Sequence, residues 1–156
     1  MTKRIRVLAF GTFDIVHAGH AKYLEESRKL GGNNAELIVI VARDSTVKAV
    51  RGREPIFPEE QRRYLVESLK PVDKAILGYE GEDRLRVVEE LKPNIIALGY
   101  DEKPTEAFLK KELKNRGLQG TTVTRLSKYG DEVLNSTSKV VKRIQEVMDK
   151  MRNNQH

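Results

Sequence analysis

The chain alternates short apolar runs with longer amphipathic ones. Five short runs, "RIRVLAF" (4–10), "ELIVIVA" (36–42), "KAILG" (74–78), "NIIALG" (94–99) and "TTVTRL" (121–126), read as strands. The second and fourth are apolar without alternation, the pattern of strands covered on both faces. The segments between them read as helices. "HAKYLEESRKLGG" (20–32) ends on paired glycines, a stop signal. "PEEQRRYLVESLK" (58–70) opens with Pro and two Glu, residues favoured in a first turn. "GEDRLRVVEELK" (81–92) follows, then "TEAFLKKELKNRG" (105–117) with a Thr cap and a terminal Gly. The last, "STSKVVKRIQEVMDKM" (136–151), sets Val140, Ile144, Val147 and Met151 on one stripe.

Strands that alternate with helices require right-handed crossovers and a parallel sheet. The expected fold is α/β: a doubly wound, Rossmann-like three-layer α/β/α domain with a five-stranded parallel sheet, spanning residues 1–156. Ligands of such sheets bind at the carboxyl ends of the strands. That selects "GTFD", "ARDS", "LGYE", "LGYD" and the segment after residue 126 as rim loops.

Composition narrows the class. At 156 residues the chain fits one domain with one core. No apolar run approaches the roughly 18 residues of a membrane span, and "MTKRIRVLAF" is too short in its apolar part for a signal peptide. There is no cysteine, so neither a disulfide framework nor a thiolate metal site arises. A cytoplasmic enzyme or binding protein is expected. The net charge of +6 favours anionic partners. The basic residues are interleaved with 23 acidic ones and aromatics are 6%, which argues against a nucleic-acid groove.

The stretch "FGTFDIVHAGH" (10–20) holds two of the three histidines, the third being the last residue. Gly11 lets the backbone turn after the first strand. A helix starting near Ala18 or Gly19 puts His17 in the loop or cap and His20 in the first turn. Free N–H groups and the positive end of the helix dipole favour an anion there. Two imidazoles three residues apart add donors, and Gly19 clears the space between them; the arrangement suits a polyphosphate. Two other readings stay open: ordinary structural histidines, or a metal site D-x-x-H-x-x-H made of Asp14, His17 and His20.

"GTFDIVHAGH" fills every position of the GTFDxxHxGH signature, and the chain thereby resembles the cytidylyltransferase-like nucleotidylyltransferases of the HxGH superfamily. Residues 36–78 look like the equivalent span of archaeal FAD synthases, the FMN adenylyltransferases of this family; "LGYD" (98–101) looks like their nucleoside-contacting loop, and "NSTSK" (135–139) sits where an I-S-T-[ST]-x-I type motif falls. The resemblance implies transfer of AMP from ATP to FMN with release of pyrophosphate, with a divalent cation, Mg²⁺, bound with the triphosphate. Its small-molecule partners are then ATP and FMN, without nucleic acid or membrane. One departure is visible. Relatives acting on small phosphates carry R-T-x-G-I-S-T, whereas "DEVLNST" has Asp131 in the arginine's place, with Arg125 or Lys128 as substitutes. The alternatives are a CTP-dependent enzyme acting on glycerol 3-phosphate or a similar phosphate, and a nucleotide-binding regulator without turnover.

By this resemblance His17 and His20 are the catalytic pair, holding the triphosphate and the charge developing on the α-phosphoryl group. Gly11, Thr12, Phe13, Ala18 and Gly19 form the nucleotide loop. Asp101, Tyr129, Ser136 and Thr137 are further nucleotide contacts; Tyr129 stacks on a base or on an isoalloxazine ring, and capping is the alternative role of Ser136 and Thr137. Lys48, Arg51 and Arg53, in a basic loop "KAVRGREP" (48–55), and Arg62 are phosphate-contacting candidates. Asp14 either orients the loop or meets magnesium through water. No side chain is assigned as a direct metal ligand. The last helix either covers the sheet or meets a second copy of the chain in a homodimer.

Overall fold

The computed structural model describes residues 3–129 and 134–155. Five strands, β1 (Ile5–Gly11), β2 (Ala35–Val41), β3 (Lys74–Leu77), β4 (Ile95–Leu98) and β5 (Thr122–Arg125), form one sheet in the order β3-β2-β1-β4-β5. Every pairing is parallel. The expected doubly wound α/β architecture is therefore present. β2 is buried at six of its seven positions, as its unbroken apolar run required.

Alternate side chains of the strands feed two cores. Val7, Ala9, Leu37, Val39 and Val41 face one layer, where α1 (Ala18–Lys29) contributes Leu24 and α3 (Glu59–Glu67) contributes Val66. Leu8, Ile38, Ile40, Ile96 and Leu98 face the other, where α4 (Arg86–Leu91) contributes Val87 and Val88, and α5 (Glu106–Asn115) contributes Leu109 and Leu113. Each such aliphatic side chain, fully buried, stabilises the fold by about 1.5–3 kcal/mol before entropy is counted.

Two expectations are corrected. "KAVRGREP" is not a loop throughout: α2 (Asp44–Arg51) runs to Arg51 and stops at Gly52, whose φ of 71° is the left-handed cap. Its helix signals are Asp44 in the first turn, the buried Val47 and that glycine. The helix expected over 81–92 begins only at Arg86, because Gly81 takes φ 90° and residues 79–85 stay irregular. The final helix, α6 (Thr137–Asn153), buries none of its residues; Ile144 is 53% and Met151 56% exposed, so the stripe does not cover the sheet. Among the described residues, no helix is long and apolar enough to cross a membrane.

β1 and β2 lead the chain toward one edge; β4 and β5 lie on the other side of β1. The winding reverses between β1 and β4, and a crevice opens at the carboxyl ends of such a pair. Pairing of β1 with β4 stops at Ala9 and Ala97. Beyond that point the Tyr23 hydroxyl bridges the strands, donating to the Ala97 carbonyl at 2.7 Å and accepting from the Phe10 amide at 3.4 Å.

Candidate active site

The turn from β1 into α1 is built under compression. A Cβ on Gly11 would lie 2.6 Å from the Phe13 ring, so only glycine lets the loop close there. Phe13 takes φ 52° while its ring is buried. A non-glycine residue in that region costs on the order of 1–3 kcal/mol and persists where its surroundings hold it. Two buried side chains do the holding. The Asp14 carboxylate accepts from the amides of Ile56 and Phe57, both at 2.8 Å. Arg62, with no exposed side-chain surface, donates to the carbonyls of Thr12 (2.8 Å), Ala42 (2.7 Å) and Phe57 (2.9 Å), and pairs with Asp44 at 2.7 Å. One guanidinium thus ties the ends of β1 and β2, the start of α2 and the approach to α3.

His17 is the N-cap of α1 and His20 its third residue. The His20 amide donates to Nδ1 of His17 at 3.4 Å, and the His17 amide donates to Nδ1 of His20 at 3.3 Å. This is a capping box with imidazoles in place of the usual hydroxyl and carboxylate. Since both Nδ1 atoms accept, the hydrogen bonding assigns each proton to Nε2. The rings stack, centroids 3.7 Å apart and 21° from parallel. Burial lowers the pKa of His17, and burial, then the charges of His17 and Arg51, push His20 down to about 3. At neutral pH the pair is uncharged and each ring offers an Nε2–H donor. Gly19 lies between them: a Cβ there would stand 2.5 Å from the Asn135 carbonyl and 2.9 Å from the His17 ring.

These residues open onto a cavity of about 700 Å³ at the carboxyl edge of the sheet, within the usual range for small-molecule sites. Gly11, Thr12, Phe13, Gly19 and both histidines line one wall. Asp101, Tyr129, Ser136 and Thr137 also line it, with Lys22 of α1 5.8 Å from the Tyr129 ring and the Asn135 carbonyl packed against Gly19. Ser136 is also the N-cap of α6, its Oγ accepting from the Lys139 amide at 3.2 Å. Of the basic candidates, Arg51 lines the cavity. Lys48 pairs with Glu54 at 3.2 Å and Arg53 donates to the Glu54 carbonyl; neither is on the cavity wall, nor is Ala18. The phosphate contact expected of Arg62 is corrected: its side chain is sealed and its donors are spent on protein. Arg125 is likewise engaged, with the carbonyls of Gly99 and Glu102 and the Glu106 carboxylate. Asp131 lies outside the described residues.

The metal reading of Asp14, His17 and His20 does not hold. The Asp14 oxygens are turned to the amides of residues 56 and 57, and both Nδ1 atoms are occupied. Among the described residues, no group of three or more His, Asp or Glu is disposed to grip a cation.

Several cavity residues carried no expectation: Val47 and Val50 on α2, Tyr79 after β3, Arg84, Leu85 and Glu102. Tyr79 stands in "LGYE", which the strand ends select as a rim loop without giving this residue a role. Glu102 follows Asp101 directly. Burial raises its carboxyl to about 7, with Asp101 adding, against the Gly99 amide, the Tyr23 hydroxyl and Arg125.

Comparison with known proteins agrees with this geometry. Residues 8–143 match the family model described as cytidylyltransferase-like. A protein of Aciduliprofundum boonei named FAD synthase is 48% identical over 93% of this chain and 93% of its own length. One of Methanothermobacter thermautotrophicus with the same name is 54% identical over 88% of this chain and 89% of its own. A crystal structure from Thermoplasma volcanium, described as a lipopolysaccharide core biosynthesis protein, superposes with a TM-score of 0.75 at 51% identity, covering 82% of this chain and all of that one.

Proposed function

The chain belongs to the cytidylyltransferase-like family, and from that premise we infer that it is an FAD synthase, an enzyme that transfers AMP from ATP to FMN and releases pyrophosphate. The observation that carries the reading is identity near 50% to proteins named FAD synthase, over about nine-tenths of the chain. The site is chemically suited to it.

The FMN phosphate has a second pKa near 6 and is largely dianionic at neutral pH. It needs no base to become a nucleophile. One of its oxygens attacks the α-phosphorus of ATP in line; the new P–O bond forms as the bond to the bridging oxygen of the β-phosphate breaks, and pyrophosphate departs with the electron pair. The protein's task is to place the groups and to stabilise charge on the α-phosphoryl oxygens. The Nε2–H groups of His17 and His20 and the unpaired amides that open α1 are the donors for it. Their neutrality matters: a donor that is desolvated beforehand spends nothing on reorganisation when charge develops. Arg51 adds positive potential beside His20. A divalent cation carried on the triphosphate oxygens would neutralise further charge. Asp101 is suited to accept from a ribose hydroxyl or an adenine amine, and Tyr129 to stack on a base.

The test is direct. Protein incubated with ATP and FMN is assayed for pyrophosphate and for FAD by chromatography, in parallel with CTP and glycerol 3-phosphate. FAD formation is expected. Product from CTP with the small phosphate alone would overturn the acceptor and the base together, and nucleotide binding without pyrophosphate from any acceptor would leave a regulator.

A further inference from the structure

The cavity has two chemically different ends. The histidine end is polar and carries backbone donors. The other end lies between α2 and the 78–85 segment, over Phe10 and Ile40. Its walls are apolar yet uncovered: Val50 is 61% exposed and Tyr79 37%. Tyr79 is held in place, its hydroxyl donating to Glu90 at 2.5 Å and the Arg86 guanidinium standing 5.2 Å from its ring centroid. An aromatic ring fixed at both its tip and one face presents a ready platform to a flat ligand. Arg84, on the same wall, is exposed, and its guanidinium makes no hydrogen bond or ion pair with a described residue. Arg62, by contrast, shows how completely this protein satisfies an arginine that serves the fold.

We propose that this end receives the isoalloxazine ring of the acceptor, packed against Val50, Tyr79 and Leu85, with Arg84 meeting the carbonyl oxygens of its pyrimidine edge. The assignment rests on the FAD synthase reading and refines it. The attacking phosphate must sit by the α-phosphorus, hence beside His20 and Arg51. The nucleoside candidate Asp101 follows β4, on the side of β1 opposite β2 and β3, so the ring of the second substrate is left the side toward β2 and β3. Its chemistry matches: a broad apolar face for the aliphatic and aromatic wall, and hydrogen-bond acceptors at one edge for an unengaged guanidinium.

Steady-state kinetics varied separately in FMN and in ATP provide the test. Val50→Asp sets a charge against the ring from an exposed helix position and is expected to raise the KM for FMN about tenfold or more, with the KM for ATP within about twofold. Arg84→Ala is expected to raise the KM for FMN about threefold or more in the same one-sided way. Lumiflavin, the ring without its phosphate tail, is expected to compete with FMN but not with ATP, and to lose its inhibition in Val50→Asp. Circular dichroism establishes that each variant is folded. If both variants make FAD with an unaltered KM for FMN, or lumiflavin competes with ATP, the ring lies elsewhere and the FAD synthase reading survives. If the unmutated protein makes no FAD from ATP and FMN, both fall.

Discussion

The two walls of the cavity are built on opposite terms, and two arginines measure the difference. On the β1–α1 wall, Arg62 is sealed and spends its donors on three carbonyls and a carboxylate. On the α2 and 78–85 wall, Arg84 is exposed and its guanidinium has no partner among the described residues. Asp14 is buried and saturated by two amides on the first wall; Val50 stands in the open on the second. On the proposed function the first wall is the one that would meet the triphosphate, whose geometry is the same in every turnover, so its groups would gain from being fixed in advance. The second is the wall proposed for the acceptor, and its groups are the less engaged with the protein. Rigidity here tracks the chemistry to be done and not the distance from the core.

The largest test of this contrast is to remove each arginine in turn. Arg62→Ala leaves Asp44 and three carbonyls without their buried partner and is expected to lower stability by about 3–5 kcal/mol in urea unfolding. Arg84→Ala is expected to change it by less than about 0.5 kcal/mol. Equal costs would mean that the walls do not differ. Arg62→Lys keeps the charge without the planar fork and should fall between the two.

The next effect belongs to the histidine pair. His20→Ala removes one Nε2–H donor and half of the capping box. It is expected to lower kcat by roughly 10²- to 10³-fold with the far-ultraviolet spectrum unchanged. The lost cap costs about 1 kcal/mol of stability, too little to unfold the domain. A variant that turns over at the original rate would take His20 out of the mechanism.

Two glycines refine the contrast. Gly19→Ala drives a methyl to 2.5 Å from the Asn135 carbonyl, and overpacking of this kind costs about 1–3 kcal/mol. The strain falls between α1 and the segment before α6, so a raised KM for ATP is expected with it. Gly52→Ala, at the end of α2, meets nothing within 4 Å; its cost is the left-handed φ of 71° alone, about 1 kcal/mol. Were Gly19→Ala as mild as Gly52→Ala, the α1 wall would be looser than its contacts say.

This division also explains what could be read from the chain. β2 and β4 were legible because strands covered on both faces write unbroken apolar runs, the other three as short runs alternating with amphipathic segments, and the histidine segment because its spacing fills a whole signature. α2 was hidden because it is only eight residues long with one buried valine, and its lysine and arginine read as part of a basic loop. Arg62 was hidden for the opposite reason. In "EEQRR" nothing separates it from Arg63, which is exposed enough to pair with Glu60 and Glu67 along the helix. Only the three-dimensional meeting of Thr12, Ala42 and Phe57 makes position 62 internal. Arg84 and Val50 are invisible for a third reason: the role proposed for each is toward a ligand, and a ligand leaves no trace in the chain's own pattern.

The smallest expected effect is one that largely cancels in the unaltered protein. His20 is pushed from 6.5 down to about 3, so between those values the unfolded chain binds more protons, and stability rises with pH. His17, lowered as well, acts in the same sense. Glu102 is raised from 4.5 to about 7, so between those values the folded chain binds more protons, and stability falls with pH. The two trends overlap from about pH 4.5 to 6.5, above the range in which Asp73 and Asp83, both lowered from 3.8, lose their contribution. Unfolding free energy measured across that window should therefore rise only weakly with pH, the His20 and Glu102 slopes opposing each other and His17 leaving a residual rise. Glu102→Gln should expose the histidine slope and make the protein gain stability as pH rises. His20→Gln should expose the carboxyl slope and make it lose stability over the same interval. The two residues line one cavity, the first carried on the β1–α1 wall and the other on the far side of the β1–β4 crevice. Parallel slopes in both variants would show that at least one of them is solvated, and that the crevice between the walls is wetter than its geometry implies.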